Sequence, residues 1–581
     1  MSKNTAEVIA VSPDKIRIAI DKLEDFKLPN EKLKVGSYLE IGSDDTQSLI
    51  AIIESFSIEL KEITDSETKE NDVKRVYMID AQPLGMVSEK KFVRGGDEIA
   101  IPPTGVNPAS FETIKAIFES SVEKNSEFTF ASLALQPTIS VPVDGNKFFN
   151  KHIAIVGSTG SGKSHSVAQM VQHAVSAKNN ASDPLNNSHI IIFDIHSEYA
   201  AAFPDANGIS IDDLALPYWL FNSEELEELF LESGDNNNYN QASLLRTIIT
   251  LNKKKHNPSA KKVFFDSPLR FSILEVLNCL ENLSREKHLS ADRLHIPTGS
   301  EKDSPPVEFE SEDLLYEAYF TANYPFNFSA GKTKQGPYAD GKINKFISRF
   351  KAKLFNDRLE FLFGKQSESL SFSDTLTQLL GYRKDNKKNV TIIDLSGVPF
   401  EVLSITVSLI SRLLFEYGYY YKKQNGEAKT PLLLVYEEVH KYAPKSDLAR
   451  YKSSQKAIET IAKEGRKYGV SLLIATQRPS EVSETIFSQC SNFLAMRLTN
   501  PDDQRYVKRL LPDTLGSITD SLPSLRAGEG ILIGDAVVIP SVVKVGKCSP
   551  APSSSDIAYL EEWRRKWVDV DFDTVTKKWN K

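Results

Sequence analysis

From Phe148 onward the chain alternates short, unbroken apolar runs with longer stretches of helical period. The runs fall at 152–156, 189–195, 390–395, 432–436, 470–475, 493–498 and 530–533, rich in Ile, Val and Leu and without polar alternation. Strands of that kind are covered on both faces, as in a parallel sheet flanked by helices. The first 130 residues read differently. Short runs at 6–11, 16–20, 37–41, 49–53, 75–79 and 98–101 are separated by turn signals such as Ser12-Pro13, Val35-Gly36 and Gly95-Gly96. Several strands at this spacing predict a small β-barrel.

These patterns divide the chain into a β-barrel over 1–135, a linker over 136–147 (around PTISVPVDGN), and an α/β core in two pieces, 148–213 and 383–548. The intervening 214–382 is helical in period and reads as an insertion between two sheet strands. Residues 549–581 begin as a Pro/Ser linker and continue as an amphipathic helix carrying Tyr559, Leu560, Trp563 and Trp567.

The sharpest chemical signal is Gly157-Ser158-Thr159-Gly160-Ser161-Gly162-Lys163-Ser164, between an apolar strand and a helix with Val167, Met170, Val171, Ala174 and Val175 on one face. Such a loop turns backbone N–H groups inward around a β-phosphate and adds the positive end of the following helix. Lys163 would reach the β- and γ-phosphates, and the Ser164 hydroxyl would hold Mg²⁺. The nucleotide-binding set is therefore Gly157, Ser158, Thr159, Gly160, Ser161, Gly162, Lys163, Ser164 and His165, with ATP and Mg²⁺ as the ligands expected.

Other candidates lie at the ends of the remaining runs, where ligands of parallel sheets collect. Leu432–Tyr436 leads into Glu437 and Glu438. One carboxylate at such a place serves the metal side, here Glu437, and the other activates the attacking water, here Glu438. Phe193-Asp194-Ile195-His196-Ser197-Glu198-Tyr199 ends another run. Asp194 and Glu198 are placed to tune Mg²⁺ or water, or Asp194 or Ser197 caps a helix instead. His196 reads as structural. After 470–475 comes Gln477, an amide able to sense a γ-phosphate. Arg466, in EGRKYG, is a surface arginine or one that reaches a neighbour's site.

Composition narrows the setting. A net charge of −8 argues against a basic DNA-coating protein but leaves room for a local channel that holds nucleic acid. The lysine clusters 253–255 and 387–388 would touch phosphates or lie in solvated loops, and the second reading is preferred. Three scattered cysteines fit a reducing compartment and no zinc site. No apolar run reaches 18 residues, and the start MSKNTAEVIAV lacks the layout of a signal peptide, so a cytoplasmic protein without membrane spans is expected.

With these segments in hand, the chain resembles the HerA family of ring-forming ATPases, within the wider HerA/FtsK group of DNA translocases. The matching residues are HIAIVGSTGSGKS (152–164), IIIFDIHSEY (190–199), IIDLSGVPFEV (392–402), LLLVYEEVHKYAP (432–444), EGRKYGVSLLIATQRPS (464–480), MRLTNPDDQ (496–504) and GEGILIGDAVVIPSVVKV (528–545). The resemblance implies a P-loop NTPase fold of RecA-like type, mainly a parallel sheet, behind an N-terminal β-barrel similar to the family's HAS-barrel (VGSYLEIG, 35–42). It implies a homohexamer with ATP sites between subunits and double-stranded DNA in the central channel. It supports Lys163 and Ser164 for phosphate and Mg²⁺, Glu438 as catalytic base, Gln477 as sensor and Arg466 as a finger acting on the next subunit. Lys151 is the nearest match to a basic residue that relatives carry before the loop strand. Archaeal relatives work with a nuclease, and many bacterial ones with an effector, a sirtuin-like NADase or a nuclease, in anti-phage defence. The insertion with Leu216-Pro217-Tyr218-Trp219 and the Trp-bearing tail resemble the bacterial type. Its effector would dock on the N-terminal barrel side. The ring would then act either as a translocase or as an assembly platform that activates the effector, with ATP as a switch. A conjugation-type coupling ATPase is disfavoured for want of membrane segments.

Overall fold

The computed structural model describes residues 6–579 apart from 21–25, 27–32, 45–46, 65–70, 89–90, 96–103, 181, 232–237, 290–292, 298–305, 327–332, 384–385, 446–451, 512–515 and 555–556. The strand expected at 98–101 lies outside the described residues.

The N-terminal strands form one antiparallel sheet. In chain order they are Ala6–Val11, Ile16–Ile20, Tyr38–Asp44, Gln47–Thr64, Asn71–Ser88, Lys91–Arg94 and Val106–Pro108. Their spatial order runs first, second, fifth, fourth, third, seventh, with the sixth beside the fifth. Alternation buries one face: Ile16, Ile18 and Ile20 point inward with Leu39, Ile41, Ala51, Ile53 and Ile79. A bridge between Glu7 and Gly105, and a 2.9 Å bond from the Val8 N–H to the Thr104 carbonyl, draw the last strand back to the first. The sheet thus curls as part of a barrel. Gln47–Thr64 and Asn71–Ser88 outrun the apolar runs that announced them, and Phe56, Ile58 and Leu60 stand exposed on this long hairpin.

The second sheet has eleven strands. Its order is Asn207–Ile209, Val390–Asp394, His189–Asp194, Leu432–Tyr436, Val470–Thr476, Ile153–Val156, Asn492–Met496, Glu529–Gly534, Ser541–Val545, Glu127–Leu133 and Ser140–Asp144. Pairing is parallel through Asn492–Met496 and antiparallel beyond it, so the sheet is mixed.

This far edge corrects the linker expected at 136–147. Ser140–Asp144 is a strand there, and Asp144 caps the helix Gly145–Asn150 by accepting from Lys147 N–H at 3.1 Å. Pro142 made the segment look unstructured, but an edge strand tolerates a residue that cannot donate to a further neighbour.

Helices cover both faces, chief among them Lys163–Ser176 and the 26-residue Phe400–Asn425, which stops at Gly426 with φ +81°. The expected insertion is helical, with Ser223–Phe230, Asn238–His256, Ile273–Arg285, Glu312–Thr321, Asn344–Leu354 and Phe372–Leu379. Its apolar faces join the same core as the sheet. The fully buried Glu225 accepts from Arg412 at 2.8 Å and from Ser408 Oγ at 2.8 Å, which ties the insertion to Phe400–Asn425 by a paired, hydrogen-bonded charge.

Candidate active site

The loop leaves Ile153–Val156 between two parallel neighbours, Val470–Thr476 and Asn492–Met496. A Cβ at Gly157 would stand 2.5 Å from Ser161 Oγ and 2.9 Å from Met496 Cβ, so only glycine fits. Gly160 and Gly162 take φ of +71° and +104°. The helix Lys163–Ser176 begins at Gly162 without a side-chain cap, which leaves its first N–H groups open to an anion.

Lys163 Nζ rests 3.4 Å from the Ser158 carbonyl. Burial lowers its pKa, against the opposing pull of Glu438, Glu437 and Glu198. Ser164 Oγ faces Glu437 Oε1 at 3.5 Å, and Glu437 Oε2 is buried without a partner. Burial first, then the charges of Asp194, Glu198 and Glu438, raise the Glu437 carboxyl to about 9.

A hydroxyl opposite an unsatisfied buried carboxyl is a donor set that fits Mg²⁺, which takes a few protein oxygens and completes its shell with water and phosphate. Among the described residues no three His, Cys, Asp or Glu converge as a preformed metal cage.

Because native Glu437 keeps a proton that the unfolded chain releases above about 4.5, it withdraws stability as pH rises from there to about 9. Glu437→Gln is therefore expected to raise the melting temperature of the nucleotide-free protein by roughly 2–6 °C at pH 8 and by much less at pH 5. Equal shifts at both pH values in calorimetry would contradict this.

Glu438 is next in sequence and opposite in character. Its backbone adopts φ +46°, ψ +49°, a region rare for a side-chain-bearing residue, and this turns the carboxylate back toward the sheet. Oε2 accepts from the Gln477 N–H at 3.2 Å and lies 3.3 Å from His440 Nδ1. Burial alone would raise its pKa, yet the His440 hydrogen bond, the Lys163 charge and the Gln477 N–H together hold it below the ordinary value. Two neighbouring carboxyls are thus pushed apart, one protonated and one ionised, the pattern that separates acid and base roles.

Gln477 Oε1 accepts from Thr159 Oγ1 at 2.5 Å, so the expected sensor amide touches the loop tip. Asp194 is fully buried beside this group and accepts three backbone bonds, from His196 N–H and Glu198 N–H at 3.2 Å and Tyr199 N–H at 2.9 Å. No helix begins at Asp194, so it caps none; its three bonds shape the turn that presents Glu198. His196 is exposed and lies 3.4 Å from Lys441 Nζ.

Two expected residues lie away from the loop in the same chain. Arg466 is exposed on the turn Gly465–Tyr468, near His152, whose pKa falls to about 4 through burial, with the Arg466 charge assisting. That is the amino end of the four-residue loop strand, roughly 13 Å from its carboxyl end. Arg466 and Lys467 border a cavity of about 950 Å³ on that side. Lys151, at the same end, pairs with Asp535 at 2.7 Å.

His165 is exposed and lies 3.4 Å from Ser554 Oγ. The Pro/Ser segment meant as a free linker instead runs along the site's edge. Gln172 bonds the Ser549 N–H at 3.2 Å and the Pro550 carbonyl at 2.8 Å, and Ser553 N–H reaches the Glu198 carbonyl at 2.9 Å. Beyond it, the single helix expected is two short ones, Tyr559–Trp563 and Phe572–Trp579, with Trp563 and Trp567 exposed.

Two residues of this neighbourhood carried no sequence signal of their own. His440 bridges Glu438 and, at 3.0 Å, Thr476 Oγ1; Arg497 follows the strand on the loop's other side. The available clues were position at a strand end beside the loop and a place in the matching segments 432–444 and 496–504.

A phosphate loop on a mixed α/β sheet, faced by strand-end carboxylates, defines the P-loop NTPases, and the chain is an ATP-hydrolysing enzyme of that class. Residues 130–414 match the family described as Helicase HerA, central domain. A Methanocaldococcus jannaschii protein named Probable helicase is 23% identical over 562 residues, 94% of this chain and 92% of that one. The DNA double-strand break repair helicase HerA of Sulfolobus acidocaldarius is 26% identical over 418 residues, 72% of this chain and 69% of that one. Among solved structures, VirB4 of Thermoanaerobacter pseudethanolicus is similar with a TM-score of 0.44 and 11% identity, over 74% of this chain and 98% of that one. Among the described residues no helix is long and apolar enough to cross a membrane.

Proposed function

We propose that the protein is an ATP-driven translocase or helicase that works on double-stranded DNA as a ring of six copies. The observation that carries the reading is the separation of Arg466 from the 157–164 loop of its own chain, at opposite ends of one strand. Copies arranged head to tail bring one chain's loop to the next chain's arginine, and such heterologous contacts close into rings.

In each site Lys163 and the loop N–H groups hold the polyphosphate, and Gln477 reads its far end. Glu438, already ionised, takes a proton from the attacking water, and Arg466 of the neighbouring copy meets the charge that develops on the transferred phosphoryl group. Mg²⁺, held by Ser164 and on the Glu437 side, would neutralise phosphate charge. The name of the Sulfolobus acidocaldarius relative, a DNA double-strand break repair helicase, supports DNA as the substrate.

Turnover measured with and without duplex DNA, beside particle mass, tests the reading. DNA is expected to raise turnover several-fold on a particle of about six chains. Turnover indifferent to DNA would sink the translocase.

The same ring reads second as a platform for an effector enzyme, a sirtuin-like NADase or a nuclease, in anti-phage defence. The exposed Phe56, Ile58 and Leu60 of the N-terminal hairpin support it, since an apolar stripe of this kind marks contact surfaces.

A further inference from the structure

Two strand ends flank the loop. Gln477, just past Val470–Thr476, holds Thr159 from one side. Arg497, just past Asn492–Met496, stands on the other. Its carbonyl accepts from the Ser158 N–H at 2.7 Å. Two residues on, Thr499 Oγ1 and N–H lie 3.1 and 3.0 Å from Ser158 Oγ. The segment is pinned to the loop tip, and the guanidinium follows it: Nη2 lies 3.9 Å from where a Cβ on Gly160 would stand.

This guanidinium lacks what two other half-buried arginines, Arg293 and Arg412, have. Arg293 pairs with Glu286 at 2.7 Å and Arg412 with Glu225 at 2.8 Å. Among the described residues no carboxylate pairs with Arg497, and its Nε is buried without a hydrogen-bond partner. The site's carboxylates cannot serve, because Glu437 and Glu438 follow a strand three places from Asn492–Met496 across the sheet. A desolvated donor left unpaired is unfavourable, and a planar cationic fork is suited to phosphate oxygens.

We propose that Arg497 binds the terminal phosphate of a nucleoside triphosphate held by its own chain's loop. The inference rests on the nucleotide reading above. The helix N-terminus serves the inner phosphates and Lys163 reaches the β- and γ-phosphates from that side, whereas Thr159 and Gly160 form the tip beside the outermost one. A cation at Gly160 therefore distinguishes triphosphate from diphosphate. It loses its ligand when the γ-phosphate leaves, and Asn492–Met496 feels that loss directly.

The test measures binding of a non-hydrolysable ATP analogue and of ADP to the full chain, for wild type, Arg497→Ala, Arg497→Lys and Lys163→Ala. Arg497→Ala is expected to weaken the triphosphate roughly 10- to 100-fold while ADP stays within about threefold. Arg497→Lys recovers part of the loss, since it keeps the charge without the fork. Melting of the nucleotide-free Arg497→Ala protein stays within about 2 °C of wild type, separating ligand contact from loop packing. Equal losses for both nucleotides, or none for either, overturn the assignment. If Lys163→Ala loses both nucleotides while Arg497→Ala loses neither, the nucleotide reading stands and Arg497 alone is removed from it. A wild type that binds neither overturns both.

Discussion

Glu438→Gln stops ATP turnover and leaves ATP bound. The amide keeps the shape of the side chain and can still accept from the Gln477 N–H, so the turn at φ +46° has no reason to relax. What disappears is the base. The carboxylate of Glu438 is held ionised by His440, Lys163 and the Gln477 N–H in spite of burial, and an amide takes no proton from water. A fall in turnover of roughly 10²- to 10⁴-fold is expected, with affinity for ATP unchanged or improved. Steady-state turnover and equilibrium binding on the same preparation decide the matter. A variant hydrolysing within tenfold of wild type would show that another residue activates the water.

Arg466→Ala gives an equally silent protein for a different reason, and the two silent proteins should repair each other. A finger that meets transferring phosphoryl charge contributes about 10³-fold or more. If Arg466 acts on the next copy's site, a working site needs Glu438 from one chain and Arg466 from its neighbour. Rings assembled from equal parts of Glu438→Gln and Arg466→Ala chains then contain intact junctions, about a quarter of the total for random assembly. Mixing after dissociation should restore turnover that neither variant shows alone. Failure to restore any would place Arg466 in its own chain's site, against its position at the far end of the loop strand.

The central strands were legible because burial on both faces erases polar alternation. Runs such as Ile153–Val156 and Leu432–Tyr436 therefore announce both their conformation and their place in the sheet's middle. Asn207–Ile209 and Ser541–Val545 are short and carry no such run, and they went unread. Glu127–Leu133 was read as barrel because a strand's own residues do not say which sheet will pair with it. At the site, the adjacency of Glu437 and Glu438 was plain, but not that one would keep its proton and the other lose it. That split comes from the left-handed turn at Glu438 and from His440 behind it, a geometry that only the folded chain has. Arg497 sits in MRLTN, a stretch with no spacing or pairing to mark a lone arginine.

The antiparallel edge of the large sheet decides where the chain comes apart into usable pieces. Glu127–Leu133 is stitched to Ser541–Val545, and Tyr38 of the N-terminal sheet reaches Ser541 with a buried 3.0 Å bond. A fragment begun at residue 136 would carry Ser140–Asp144 without its partner and leave Ser541–Val545 with one flank bare. The natural cut for a motor fragment lies upstream, in the turn between the helix Phe111–Ser120 and Glu127. Even there it would sever Tyr38 from the sheet it braces.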